Sequence, residues 1–290
     1  MNSDFSIDFI LVGPFKTGTS WIYEYLKRHP QVNVPIKVKE TYFFDKKCSK
    51  GTSWYLSHFE KGNSSSIFGE VAPSYFHSID ATNSIYKNYS NCKILVTLRD
   101  PIERLISYYG HMLQRGDIRH DMTFIDALHA KEILVESSKY YSHLCRWVDV
   151  FGKENVYILF YEDFQASNQL FTKTLCSILD IDFIDPKKFE LTDKVNPTKI
   201  PTNYFVARLL TATNRFLRHH GFHGIVNFVK RVGLQSLLFK QSFNKKTLEI
   251  EDMQYAFDLI KDELQLLGSE FTLDIEKWRS NWIYKGLDVF

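Results

Sequence analysis

At 290 residues, with 44% hydrophobic and 24% charged side chains, the chain has the composition of a globular protein with one well-buried core, and it is short for two ordinary domains. A formal charge of +2 is too small for a general nucleic-acid binder. No apolar run of about 18 residues is available for a membrane span, and no signal-peptide pattern precedes the first strand, so a cytoplasmic protein is expected.

In chain order, the apolar run Ile7–Val12 predicts a strand that leads into the glycine loop "GPFKTGTS" and a helix over Trp21–Arg28. "QVNVP" predicts a minor strand, and "SIFGEVAPSYF" (Ser66–Phe76) a short one ending near Glu70. Ile94–Leu98 and Val156–Phe160 are two more, with a helix over Ile102–Leu113 between them. Strands alternating with helices predict an α/β protein with a central parallel sheet flanked by helices. A last helix is expected over Leu248–Leu267, closed by Gly268 as its C′ residue. The whole chain, 1–290, is expected to form one domain. Cys48, Cys92, Cys145 and Cys176 are scattered without metal-ligand spacing, which supports neither a disulfide framework nor a metal site.

Charge is unevenly spread. Residues 194–248 hold ten Lys/Arg and no Asp or Glu, interleaved with aliphatic and aromatic residues. This basic helical segment reads either as surface helices with solvated faces or as a surface for an anionic or membrane-associated acceptor.

Gly13 and Gly18 have the spacing of a nucleotide P-loop, but Thr19 and Ser20 follow directly and the lysine, Lys16, sits inside the loop. Such a loop aims backbone N–H groups at an anion on the positive end of a helix dipole, with Lys16 adding a mobile charge. A second anion site is expected at "CKILVTLRDPIERLISYY", where Arg99 ends a buried strand and Ser107 lies on the following helix. Ligands of parallel sheets bind beyond the carboxyl ends of the strands, so Arg99 is expected beside the Lys16 loop, and two anion sites suggest a ligand with two separate phosphates. Open alternatives are an ion pair of Arg99 with Asp100 or Glu103, and a Walker B strand placing Asp100 near magnesium, as in a P-loop kinase using ATP.

These two motifs together resemble the 5′-phosphosulfate loop ("PFKTGTSW") and the 3′-phosphate motif ("LRDPIERLISYY") of the sulfotransferases that use 3′-phosphoadenosine 5′-phosphosulfate (PAPS). "KETYFFD" (Lys39–Asp45), "GEVAPSYF" (Gly69–Phe76), "YEDF" (Tyr161–Phe164) and "LLGSEFTLDIEKW" (Leu266–Trp278) are similar to segments of the heparan-sulfate and related carbohydrate and bacterial enzymes. The resemblance implies a P-loop-NTPase-like three-layer fold and a PAPS-dependent sulfotransferase with PAP as product and no required metal. The implied acceptor is a hydroxyl of a carbohydrate, glycolipid or secondary metabolite. It places Lys16, Thr17, Gly18, Thr19 and Ser20 around the 5′-phosphosulfate, Trp21 against adenine, and Arg99 with Ser107 on the 3′-phosphate. Glu40 is the implied base, although by sequence it could equally be a surface partner of Lys37 or Lys39. Tyr42 and Val71 stand where the heparan-sulfate type often has His and Lys, which puts a glycosaminoglycan acceptor in doubt. Glu70 is left as an acceptor contact, a second-choice base or a partner of Lys16. "KVNPTKIPTN" (Lys194–Asn203) is the candidate substitute for the family's cofactor-closing loop, with Lys199 toward the 3′-phosphate. A nucleotide-sensing module that lost turnover is a further alternative.

Overall fold

A computed structural model describes residues 6–60, 66–191, 199–200, 208–209, 211–213, 241–242, 248–271 and 273–290. The chain divides into two compact units, Met1–Pro101 with Ser137–Lys194, and Ile102–Glu136 with Val195–Phe290.

The first unit is built on a five-stranded sheet with the order β2-β3-β1-β4-β5, every neighbouring pair parallel. Its strands are β1 (Phe9–Leu11), β2 (Val32–Asn33), β3 (Ile67–Val71), β4 (Lys93–Leu98) and β5 (Val156–Phe160). Phe9 faces Gly69 on one side and Lys93 on the other, and Leu98 pairs with Phe160 at the far end of β4. Parallel strands are buried on both faces, which is why β1 and β4 read as mainly apolar runs. The chain starts in the middle of the sheet, winds outward to β2, and returns across β1 to β4, so the crevice beyond β1 and β4 is the topological switch point.

Helix α1 (Thr19–Arg28) carries the β1-to-β2 crossover and buries Ile22, Tyr23, Tyr25 and Leu26 against a core that includes Phe9, Leu11, Val71, Leu159 and Leu175. The N-terminal strand signal was three residues longer than β1 because Ile7 and Val12 are buried apolar residues just outside the ladder.

In the second unit the helix that follows β4, Pro101–Arg115, begins on a proline, which suits a first helical position whose N–H would be unpaired anyway. Its buried face, including Ile102, Leu105, Ile106 and Tyr109, belongs to a core with Phe124, Phe257 and Trp282, where Tyr109 meets Phe124 at 5.4 Å and Phe257 meets Trp282 at 5.2 Å. The expected single helix over Leu248–Leu267 is corrected here to two, Ile250–Asp258 and Lys261–Glu270. Ile260 leaves helical geometry at φ −129° while its side chain stays buried, and the acidic Asp262 and Glu263 then open the second helix favourably at its positive end. Gly268 lies inside that second helix and does not end it; a Cβ there would meet the Ile275 Cδ1 at 2.9 Å.

Most of the basic stretch 194–248, including Arg215, Arg218, Lys230 and Arg231, falls outside the described residues. Within it Lys199–Ile200 pairs antiparallel with Gln241–Ser242. Among the described residues no helix is long and apolar enough to cross a membrane.

Candidate active site

The loop after β1 is shaped by close approach. A Cβ on Gly13 would lie 2.1 Å from Thr97 Oγ1 and 2.4 Å from the Thr97 backbone nitrogen, so only hydrogen fits where the chain leaves β1 against β4. Thr17 is buried and turns inward: its Oγ1 donates to the Pro14 carbonyl at 2.8 Å and shares a 2.6 Å hydrogen bond with Thr97 Oγ1. The Thr17 hydroxyl is thereby spent on holding the loop, which leaves its backbone as what it can offer an anion. Lys16 and Gly18 are both left-handed, at φ 76° and 85°. For the lysine this costs roughly 1–2 kcal/mol, a strain the loop bears at the position the motif singles out.

Gly18 caps α1 without a side-chain hydrogen bond, and no acidic residue occupies the first turn. The positive end of the helix dipole and its uncommitted first-turn N–H groups are therefore not balanced by the helix's own side chains. Thr19 is buried and Ser20 exposed at this end.

Arg99 leaves the end of β4 and emerges beside this loop, as its sequence position predicts. Its Nη1 donates to the Lys16 carbonyl at 3.3 Å, and its guanidinium lies 4.7 Å over the ring of Tyr161. The same ring packs under Gly18, where a Cβ would come within 3.0 Å of Tyr161 Cδ2. Tyr161 follows β5 directly and opens the helix Tyr161–Ala166, so three neighbouring strand ends, β1, β4 and β5, each supply one part of the cluster. The Tyr140 hydroxyl donates to the Arg99 carbonyl at 3.0 Å, and the Asp100 N–H donates to Glu162 Oε1 at 2.9 Å, which fix the turn after β4. Glu103 is engaged by Lys285 in the second unit. Ser107 is half-buried on the helix Pro101–Arg115, which carries it in that second unit.

Trp21 stacks on Tyr25 at 5.9 Å and 7° and tilts against Phe164 at 4.8 Å. Its Nε1 is buried with no hydrogen-bond partner.

The third element is the irregular segment after β2. Tyr23 anchors its start through a 2.7 Å hydrogen bond to the Pro35 carbonyl. Lys39 then turns to the loop helix, its Nζ donating to Thr19 Oγ1 at 3.0 Å and Ser20 Oγ at 3.3 Å. Glu40 follows, with Oε2 buried and unpartnered. Burial pushes the Glu40 carboxyl above its ordinary pKa, Lys39 pulls it down, and Asp45 pushes it up again. Neither Lys37 nor Lys39 forms an ion pair with Glu40, although the Lys39 charge acts on it.

Glu70 has a different job from those the sequence left open. It is fully buried, Oε1 accepts from the Thr41 N–H at 2.6 Å, and Oε2 accepts from the Tyr75 hydroxyl at 3.2 Å. Tyr75 Oη in turn accepts from the Phe43 N–H at 3.0 Å. Glu70 is thus a brace for the 40–43 segment. Burial raises its pKa to about 7 against the pull of its hydrogen bonds. Tyr42, at the position of the family's frequent His, is left-handed at φ 56°, and the ammonium groups of Lys46 and Lys47 lie 5.2 and 5.5 Å over its ring. Val71 is fully buried in the core. Lys39 and Tyr161 were not singled out by sequence, because nothing in a linear pattern shows which loop a lysine turns toward or which ring lies under an arginine.

Among the described residues no group of three or more His, Cys, Asp or Glu side chains is arranged to hold a metal ion.

Residues 6–199 match the sulfotransferase domain family. The chain is 34% identical over 110 residues to the membrane-associated sulfotransferase kil1 of Dictyostelium discoideum, covering 37% of this chain and 23% of that protein. It is 32% identical over 164 residues to the mouse heparan sulfate glucosamine 3-O-sulfotransferase 5, covering 52% of this chain and 46% of that one. The chain thus spans less than half the length of these relatives. The crystal structure of a sulfotransferase from Alicyclobacillus acidocaldarius superposes with a TM-score of 0.56 at 23% identity, over 66% of this chain and 86% of that one, which supports the P-loop-NTPase-like fold. A strand–loop–helix cradle with its lysine inside the loop, an arginine at the neighbouring strand end, and a family match over two thirds of the chain agree with one another, and the chain belongs to the sulfotransferase domain family.

Proposed function

We propose that the protein transfers a sulfuryl group from PAPS to an acceptor hydroxyl, with Glu40 as base and Lys16 opposite the departing phosphate. The observation that carries this reading is the placement of Glu40. Its buried, unpartnered Oε2 sits one residue from a lysine that donates to the first-turn hydroxyls of the loop helix, so base and cradle are tied together in sequence and in space.

The residues present fit the cofactor. An uncapped helix end without first-turn acids, the Thr19 and Ser20 hydroxyls, and the Lys16 and Arg99 charges form a donor set suited to phosphate-type anions. Trp21, with its buried unpartnered Nε1, is the proposed neighbour of the adenine. When bound, PAPS supplies the sulfuryl group and a phosphate that leaves with the negative charge. Backbone N–H groups from Thr17 to Ser20 hold the 5′ side, and Lys16 neutralises charge that builds there. Arg99 is assigned to the 3′-phosphate; Ser107 carries the same assignment from the motif alone. Glu40 Oε2 takes the proton of the acceptor hydroxyl, and its burial raises its basicity toward that task.

The acceptor is proposed to be a carbohydrate hydroxyl. The relatives named for glucosamine 3-O-sulfation support this, while Tyr42 and the buried Val71 speak against a contact set copied from them. A kinase reading has no observation in its favour, since no lysine follows Gly18.

Calorimetry with 3′-phosphoadenosine 5′-phosphate in the presence of a magnesium chelator tests the reading. Micromolar binding, about 8 kcal/mol, that is lost in Arg99→Ala is expected. Binding of ATP with magnesium in its place overturns the assignment.

A further inference from the structure

Lys39 holds a position that the proposed mechanism does not use. Its Nζ donates to Thr19 Oγ1 at 3.0 Å and Ser20 Oγ at 3.3 Å, the two hydroxyls at the start of α1. An ammonium has donors only, so both hydroxyls accept here and each keeps its own proton to donate elsewhere. A hydroxyl polarised in this way is a stronger donor to an anion.

The ammonium is held by no ion pair among the described residues. Glu40 and Glu24 are the carboxylates close enough to act on it electrostatically. Glu24 is taken by Arg28 at 2.7 Å, and Glu40 Oε2 makes no hydrogen bond at all. Among the described residues no carboxylate forms an ion pair with Lys39. Burial lowers its pKa, the mark of a charge held away from water. A desolvated ammonium resting on neutral hydroxyls is unfavourable until an anion joins it. The first turn of α1, without acids or a side-chain cap, shows the same imbalance on the other side of the same two hydroxyls.

We propose that Lys39 is a further positioning residue of the site, which acts through the Thr19 and Ser20 hydroxyls and supplies, besides Lys16, a second positive charge to the 5′ anion of the nucleotide. The assignment rests on the nucleotide reading of the loop. It makes the Lys39–Glu40 dipeptide a joint between cofactor and base: the cation faces the helix end, and the next residue carries the carboxylate.

The test is calorimetry without magnesium on wild type and Lys39→Met, with two probes, 3′-phosphoadenosine 5′-phosphate and adenosine 3′-monophosphate, and thermal melts of the ligand-free proteins. Loss of a charge-assisted contact is expected to weaken the bisphosphate by about tenfold or more and to leave the monophosphate unchanged. Ligand-free Lys39→Met is expected to melt no lower than wild type, since it loses a desolvated charge that no ion pair holds. Equal weakening of both probes, unchanged bisphosphate binding, or a lower melting temperature or failure to fold of the variant overturns the proposal. Failure of wild type to bind the bisphosphate overturns the nucleotide reading itself, so the two failures are distinct.

Discussion

Glu40 is the proposed base, and its surroundings suit that task. One carboxylate oxygen is buried without a partner, so its basicity is not spent on the protein, and the desolvation that raises its pKa is offset in part by the neighbouring Lys39. Replacing it with Gln keeps size and shape and removes the proton acceptor. Turnover of Glu40→Gln is expected to fall by about 10²–10⁴-fold with affinity for 3′-phosphoadenosine 5′-phosphate within a few-fold of wild type, measured by steady-state sulfation and calorimetry. A protein that only senses nucleotide would have no turnover to lose. Residues that read alike in sequence separate here: Glu40 Oε2 has no hydrogen-bond partner in the protein, whereas both oxygens of Glu70 are committed to Thr41 and Tyr75.

At the level of elements, the cradle depends on how tightly the strand ends approach. Gly13 abuts the backbone of Thr97, Gly18 rests on the Tyr161 ring, and Thr17 is tied to Thr97 and Pro14, so loop, β4 and the β5 exit share one packing solution. An alanine at Gly13 has no room without moving the Thr97 backbone. Gly13→Ala is expected to destabilise by about 3 kcal/mol, a melting temperature lower by on the order of 10 °C, and to weaken bisphosphate binding because the loop shifts with β4. A melt within a degree or two of wild type contradicts the close approach. In the second unit, helix Phe124–Ala130 begins with a reciprocal capping box between Thr123 and Asp126. Thr123→Ala is expected to cost about 1 kcal/mol with no effect on nucleotide binding, which makes it a control for destabilisation alone.

For the molecule as a whole, the buried Glu70 links stability to pH. Its folded pKa, about 7, lies above the ordinary 4.5, so the folded state holds the proton more tightly than the unfolded chain does. The contribution of the neutral form is complete below pH 4.5 and is lost as pH rises through about 7. Wild type is expected to lose roughly 3 kcal/mol relative to Glu70→Gln across that window, read from denaturant unfolding of both proteins at several pH values. A stability difference independent of pH removes Glu70 as the titrating group. Magnesium chelation is expected to leave turnover unchanged, and its arrest would argue for a metal-dependent phosphoryl transfer.

The parallel α/β core was legible in the amino-acid sequence, because mainly apolar strand segments alternate with amphipathic helices. The sequence also placed Arg99 beside the Lys16 loop, since glycine spacing and an arginine after a buried strand leave local signatures. Helix ends without a strong local signal escaped it: Gly268 looked like a terminator, but it lies inside the helix Lys261–Glu270. Which polar groups are braced by hydrogen bonds and which keep an unpartnered atom emerged only from the three-dimensional packing. Glu40 and Glu70 lie 30 positions apart and differ through burial and partners, Lys39 finds Thr19 across a fold, and Tyr161 reaches Arg99 from the next strand. Those relations are set by how strand ends converge at the switch point of the sheet, a three-dimensional property that no linear spacing encodes.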